Sequence, residues 1–136
     1  MLEKDFAPYE PSLALKELGF DEHCFGYYSE GELILNSHTN NHMQRFRYSA
    51  PTFSQAFRWF REKYELRHSI TDFIDDETGI EWDYEISIIG TDSDENGNYK
   101  PLVDYSVDDE TRKFKTYEEA ELACLIKLIE IANEQK

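Results

Sequence analysis

The stretch from Asp92 to Asn98 has the clearest metal-binding spacing in the chain. It reads D-x-D-x-N-G, which matches the first half of a calcium-binding loop, and oxygen-bearing side chains at alternate positions suit Ca²⁺. The second half does not match, because Val103 stands where the loop needs its final bidentate glutamate. The same residues are typical of an ordinary hairpin loop. We therefore expect no cofactor, and calcium is a minor alternative whose candidate metal ligands are Asp92, Asp94 and Asn96.

A row of carboxylates alternates with large apolar residues between residues 80 and 88. The segment reads IEWDYEISI, which predicts a strand with apolar side chains on one face and acids on the other. Two carboxylates on one face could perform acid–base chemistry if one were buried and its pKa raised. The alternation instead predicts a solvated face that carries Glu81, Asp83 and Glu85.

No sequence motif of a major enzyme class accompanies these carboxylates. GxSxG, HExxH, the phosphate-binding P-loop and the dinucleotide-binding GxGxxG are all absent from the sequence. We therefore predict no catalytic residues and favour a non-catalytic protein. A small carboxylate- or metal-dependent enzyme is the alternative, and a deep cleft holding carboxylates with perturbed pKa values would favour it.

The net charge of the chain is strongly negative. Asp and Glu number 29 against 14 Lys and Arg, which gives a formal net charge of −15. Such a field opposes non-specific binding to nucleic acid and favours basic partners, or simply solubility. A third hypothesis is an acidic mimic of DNA, which competes with DNA for a basic protein. That role needs unpaired carboxylates at phosphate-like spacing.

A second charged row lies in the alternating segment from Arg45 to Ser49, where two arginines alternate with two aromatic residues. If this strand and strand 80–88 share one sheet with their aromatic residues toward the helices, both charged rows lie on its solvated face. Neighbouring strands would then allow Arg–carboxylate pairs, each worth roughly 0.2–1 kcal/mol. The predicted binding face therefore consists of Arg45, Arg47, Glu81, Asp83 and Glu85.

Two helix signals frame these strands. In residues 50–66, Thr52 and Gln55 have capping-box spacing, and an aromatic stripe follows at helical spacing. Thr116 and Glu119 repeat the capping spacing before a final, largely apolar helix. Hairpin-length connections and half-polar strands favour antiparallel pairing. We predict an α+β fold, with one antiparallel sheet and helices packed on one of its faces as a two-layer sandwich.

Length and composition indicate one domain, residues 1–136, with residues 1–11 as a loosely ordered tail. No run approaches the ~20 apolar residues of a membrane span. The first residues, MLEKDFAPYEP, lack the apolar core of a signal peptide. Cys24 and Cys124 form no CxxC motif, which suits a reducing compartment. These features predict a cytoplasmic protein with no membrane partner.

Three segments resemble a group of short, acidic proteins from bacteriophages and related mobile elements. They are residues 13–22, 50–66 and 114–133, which include LALKELGFDE, PTFSQAFRWFREK and TYEEAELACLIKLIE. No activity is assigned to that group, so the resemblance implies a phage or prophage setting in the host cytoplasm and no catalytic residues. The leading hypothesis is a small, non-catalytic, phage-type protein that acts by binding a host or phage protein.

Overall fold

The computed structural model describes residues 2–39, 47–93, 95–97, 99–104 and 113–135. Within these ranges a short 3-10 helix, Leu2–Asp5, precedes three α-helices and six strands. The helices are α1 (Tyr9–Glu17), α2 (Phe53–Tyr64) and α3 (Tyr117–Glu134). The strands are β1 (Cys24–Ser29), β2 (Glu32–Thr39), β3 (Tyr48–Ala50), β4 (Leu66–Asp75), β5 (Gly79–Ser93) and β6 (Tyr99–Asp104). All strand pairs are antiparallel, so the predicted α+β class is confirmed.

The chain divides into two compact units, and the boundaries between them fall inside α2 and α3. Unit 1 comprises residues 1–59 and 129–136, and unit 2 comprises residues 60–128. Unit 1 contains a sheet of order β2-β1-β3, and unit 2 contains a sheet of order β4-β5-β6. The described strands therefore form two sheets where the sequence predicted one. The single domain over residues 1–136 stays a prediction.

The sheet of unit 1 is built around β1. Its hairpin with β2 turns at Glu30 and Gly31, whose φ angles of 52° and 82° are the left-handed pair that suits the twist of a two-residue hairpin. Gly26 suits a close approach, because a Cβ there would lie 3.2 to 3.3 Å from atoms of three neighbouring side chains and would push them outward by a few tenths of an ångström. One face of this sheet packs on a small core that includes Phe6, Tyr28 and Ala50.

The N-terminal segment is part of unit 1 and differs from the loosely ordered tail expected over residues 1–11. Phe6 forms an antiparallel bridge with Thr52, and the backbone N–H of Ala7 donates to the carbonyl of Pro51 at 2.8 Å. Both Phe6 and Ala7 are buried. Their buried apolar side chains and backbone hydrogen bonds hold the segment in place. The sequence did not indicate this order because charged residues surround the two apolar positions.

Helix α2 begins at the predicted cap. The N–H of Gln55 donates to Thr52 Oγ1 at 3.1 Å, which satisfies one of the unpaired donors at the helix start. The Gln55 side chain does not reach back as a capping box requires, because its Nε2 donates to the carbonyl of His23 at 2.8 Å. The predicted apolar stripe is confirmed as buried, and its fully or nearly fully buried members are Phe53, Ala56, Phe57 and Phe60.

The hairpin of β4 and β5 dominates unit 2. Its pairing runs without a register shift from Leu66 opposite Ile88 to Asp75 opposite Gly79. The turn is held by Asp75, whose Oδ1 accepts the N–H groups of Glu77 and Thr78 at 2.8 and 3.1 Å. Gly79 has a φ of 90°, which favours glycine at the end of this turn. Strand β6 pairs with the far part of β5 in an irregular register.

Half-buried His68 in β4 predicts a loss of stability in mild acid. Burial, with the charge of Arg61 as the second cause, lowers the pKa of His68 to about 4. The unfolded chain takes up this proton near pH 6.5, so stability falls as the pH drops from about 6.5 to about 4. With allowance for solvent screening, His68 accounts for roughly 1–2 kcal/mol of this loss of stability, and we expect that part to be absent in His68→Gln. Urea denaturation across this pH range measures it, and parallel profiles for both proteins would contradict it.

Candidate functional site

The candidate site is the part of the β4–β5 hairpin nearest its turn. We define the hairpin end as residues 70–83 together with segment 113–115, which pairs with β5 through Phe114. It contains acidic and apolar side chains, and two of the three predicted strand carboxylates, Glu81 and Asp83, belong to it.

The segment 113–115 joins β5 through a backbone pair. The N–H of Trp82 donates to the carbonyl of Phe114 at 2.8 Å, and the N–H of Phe114 donates back at 3.0 Å. The Phe114 ring lies 6.2 Å from that of Tyr84, and the Tyr117 ring meets Trp82 edge-on at 5.4 Å. These contacts fix Lys113 and Lys115, the residues on either side of Phe114, next to the acidic hairpin.

Glu81 is buried, although the sequence placed it on a solvated face. The residue is 2% exposed. Its Oε1 accepts the hydroxyl of Thr78 at 2.6 Å and Lys115 Nζ at 2.8 Å. Its Oε2 is also buried and accepts no hydrogen bond from the described residues. The hydrogen bond from Lys115, with that from Thr78 second, holds the pKa of Glu81 below its ordinary value.

Asp75 is the second hairpin carboxylate that contacts a lysine of segment 113–115. Its Oδ2 lies 3.2 Å from Lys113 Nζ, while its Oδ1 accepts the two backbone N–H groups of the turn. The pKa of Asp75 is lowered to about 2, mainly by the hydrogen bond from the N–H of Glu77 and next by the hydrogen bond from Lys113. The two lysines of segment 113–115 therefore each neutralise one hairpin carboxylate.

The predicted carboxylate row is not uniform in its surroundings. Glu81 is buried, Asp83 is half-buried with its Oδ1 accepting the N–H of Tyr84 at 2.7 Å, and Glu85 is exposed. A general acid in this row would need a raised pKa, whereas that of Glu81 is lowered. A DNA mimic would need a run of exposed, unpaired carboxylates, which this row does not supply.

Large apolar side chains are exposed at the hairpin end. Ile74 is 81% exposed and Ile80, directly across the hairpin, is 60% exposed. Phe73 is also exposed, on the other face of the hairpin. The alternating pattern of residues 80–88 hid this surface, because alternation alone assigns Ile80 to the core. Pairing the hairpin outward from its Asp75–Gly79 turn would have placed Ile74 and Ile80 side by side beyond the buried residues.

Acidic residues surround this apolar pair. Residues 68–87 contain no Lys or Arg, and their carboxylates belong to Asp72, Asp75, Asp76, Glu77, Glu81, Asp83 and Glu85. Among them, Asp72, Asp76 and Glu77 are exposed beside the turn and in the turn itself. The hairpin end therefore combines an exposed apolar pair with net negative charge.

Only one of the two predicted arginines lies among the described residues. Arg45 lies outside the described residues, and Arg47 is exposed just before β3, where its guanidinium lies 4.8 Å from the centre of the Tyr27 ring. Since β3 and β5 belong to different sheets, the predicted cross-strand pairs between Arg47 and the row of Glu81 cannot form. The expected third strand also begins later, at Tyr48, so alternation in the sequence extended it too far.

The predicted metal ligands remain untested. Asp94 lies outside the described residues, only the backbone of Asp92 is described, at the end of β5, and Asn96 lies in the exposed turn that follows. Where side chains are described, no three His, Cys, Asp or Glu residues come together in an arrangement that could hold a metal ion.

Comparisons with known proteins add no relative: no protein-family model matches the chain, and no curated protein or solved structure is significantly similar to it. In the described part of the chain, the helices are all too short or too polar to span a lipid bilayer.

Proposed function

We propose that this protein is non-catalytic and acts by binding another protein through the hairpin end. The exposure of Ile74 and Ile80, side by side at 81% and 60%, carries the proposal. Complete burial of one such side chain is worth roughly 1.5–3 kcal/mol, so covering both by a partner would contribute substantially to affinity. Exposed apolar residues scattered singly need no explanation, whereas contiguous exposed apolar surface marks interaction sites, and the two isoleucines are contiguous across the hairpin.

The charge around the apolar pair indicates the chemistry of the partner. Asp72, Asp76 and Glu77 lie next to the pair, and residues 68–87 contain no Lys or Arg. Their one histidine, His68, is uncharged at neutral pH because its pKa is lowered to about 4. A partner surface with apolar side chains bordered by Lys or Arg would match both features, and the charges would accelerate association. Nucleic acid is disfavoured because the same charges repel phosphate. The resemblance to phage and mobile-element proteins gives the setting that we propose, the host cytoplasm.

Photo-crosslinking tests the proposal directly. A photoreactive amino acid replaces Ile74 or Ile80 in the full chain, and the protein is irradiated in a lysate of the host cells. We expect both positions to crosslink to the same polypeptide, because the two residues are adjacent across the hairpin. The matched control carries the photoreactive residue at Ile126, which is exposed on α3.

Competition makes the result specific. Excess unlabelled protein should abolish the crosslink, whereas excess of the double variant Ile74→Ser and Ile80→Ser should not. Both substitutions are at exposed positions, so the melting temperature should change little. Equal crosslinking from Ile126, or equal competition by the double variant, would show that the hairpin end is not the binding surface.

A further inference from the structure

The backbone of β4 has an unpaired side. β4 is an edge strand, because the sheet order is β4-β5-β6. Both backbone groups of Trp82 bond to Phe114, so they point away from β4. Asp72, the partner of Trp82 in β4, is therefore in a non-hydrogen-bonded pair, and its own N–H and C=O point outward from the sheet. The register has no shift, so the same holds for every second residue of β4.

A second contact supports this assignment. The N–H of Tyr84 donates to Asp83 Oδ1 rather than to its β4 partner Ile70, which places Ile70 in another non-hydrogen-bonded pair. The outward backbone groups near the turn thus belong to Ile70, Asp72 and Ile74, and none of them has a hydrogen-bond partner among the residues that the structure describes. Side chains along this edge from Thr71 to Ile74 are exposed, so another strand has room to approach.

We propose that the outer edge of β4 binds an extended, cationic segment of another protein, which adds to the sheet as an antiparallel or parallel strand. An edge of unpaired N–H and C=O groups is the usual template for such strand addition. Side chains of the added strand would alternate between the face of Ile74 and the face of Phe73. Lys or Arg at positions near Asp72 and the acidic turn, with apolar residues between them, would complement both faces.

The charge distribution favours a different protein over a second copy of this chain. A second copy would bring its own hairpin, whose residues 68–87 hold seven carboxylates and no Lys or Arg, against the same acidic region. Like charges placed opposite each other across paired strands are destabilising. A segment rich in Lys or Arg meets no such repulsion. This inference rests on the proposed protein-binding function and specifies how that binding occurs.

Amide hydrogen exchange with a model peptide tests the inference. The probe is a short synthetic peptide of alternating Lys and Val, added to the full chain, and the control peptide alternates Glu and Val. In the free protein, the N–H groups of Ile70, Asp72 and Ile74 should exchange faster than those of Thr71 and Phe73, which point toward β5. The Lys–Val peptide should slow exchange at the first three, and the Glu–Val peptide should not.

A pair of variants at Asp72 isolates the backbone contribution. Asp72→Pro removes an outward N–H and leaves the β4–β5 hydrogen bonds intact, because proline is tolerated on an edge strand where its nitrogen faces outward. Asp72→Asn removes the same charge and keeps the N–H. We expect Asp72→Pro to bind the Lys–Val peptide about tenfold more weakly than Asp72→Asn. Circular dichroism should show that both variants remain folded.

Four results would overturn the inference. Equal affinity of the two Asp72 variants, or peptide binding without protection of the three amides, would show that the edge is not paired. Protection that increases with protein concentration in the absence of peptide would make a second copy the occupant. No binding of the Lys–Val peptide at all would rule out the cationic strand. In each case, crosslinking at Ile74 and Ile80 still reports separately on whether the hairpin end binds a protein.

Discussion

Replacing Phe60 with alanine is expected to lower the free energy of unfolding by about 3–5 kcal/mol. The Phe60 side chain is 0% exposed, and its ring lies 5.9 Å from the ring of Tyr64 one turn further along α2. Truncation removes the transfer energy of the ring and leaves a cavity that rigid neighbours fill only in part. Such a loss is a large fraction of the stability of an ordinary domain. Urea denaturation followed by circular dichroism measures it.

A matched control is available at the next position of the same helix. Arg61 is exposed, so Arg61→Ala should change the free energy of unfolding by no more than about 0.5 kcal/mol. Phe60→Leu keeps part of the volume and should lie between the two. An unfolding midpoint for Phe60→Ala that equals that of Arg61→Ala would mean that the Phe60 ring is not in a packed interior.

The helix around Phe60 was predictable because its signals are local. A Thr cap and an aromatic stripe at helical spacing fix both where α2 begins and which face it buries. Hairpin turns are local for the same reason, since Gly31 and Gly79 adopt a positive φ that glycine readily allows in a tight turn. These signals lie within a few residues of the structure that they determine.

Sheet membership could not be predicted in this way. Alternation tells which residues share a face of a strand, but it does not tell which sheet the strand joins. Arg47 and Glu81 each lie in a segment that alternates clearly, yet they belong to separate units of the chain. That separation depends on contacts between residues far apart in sequence, for which the pattern of one strand carries no signal.

The burial of Glu81 was missed for a related reason. An acid at an alternating position normally faces water, and the sequence gives no sign that Lys115 returns to Glu81 from 34 residues further along the chain. The exposed pair of Ile74 and Ile80 is the converse case. Alternation assigned Ile80 to the core, but the buried part of the hairpin ends before its tip. The candidate site therefore depends on long-range placement more than the helices do.

Lys115→Ala is expected to destabilise the protein several times more than Lys113→Ala, although both lysines are exposed surface residues. The side chain of Lys115 is 63% exposed, but its ammonium group pairs with the carboxylate of Glu81, whose side chain is only 3% exposed. Removing it leaves Glu81 as a buried charge with Thr78 as its one hydrogen-bond donor among the described residues. Asp75, by contrast, keeps two backbone N–H donors when Lys113 is removed.

The wild type should lose more stability in acid at Glu81 than Lys115→Ala does. In the wild type the pKa of Glu81 is lowered, so its contribution is fully present above about pH 4.5 and is lost as the pH falls through the folded-state pKa. In Lys115→Ala the main cause of the lowered pKa of Glu81 is removed, so protonating Glu81 costs less than in the wild type and the stability deficit of the variant narrows on acidification. Glu81→Gln in the Lys115→Ala background should restore much of the stability at neutral pH, because it removes the unpaired charge. If Lys115→Ala and Lys113→Ala lose equal stability at pH 7, or if the deficit of Lys115→Ala grows in acid, then Glu81 is not a buried charge that depends on Lys115.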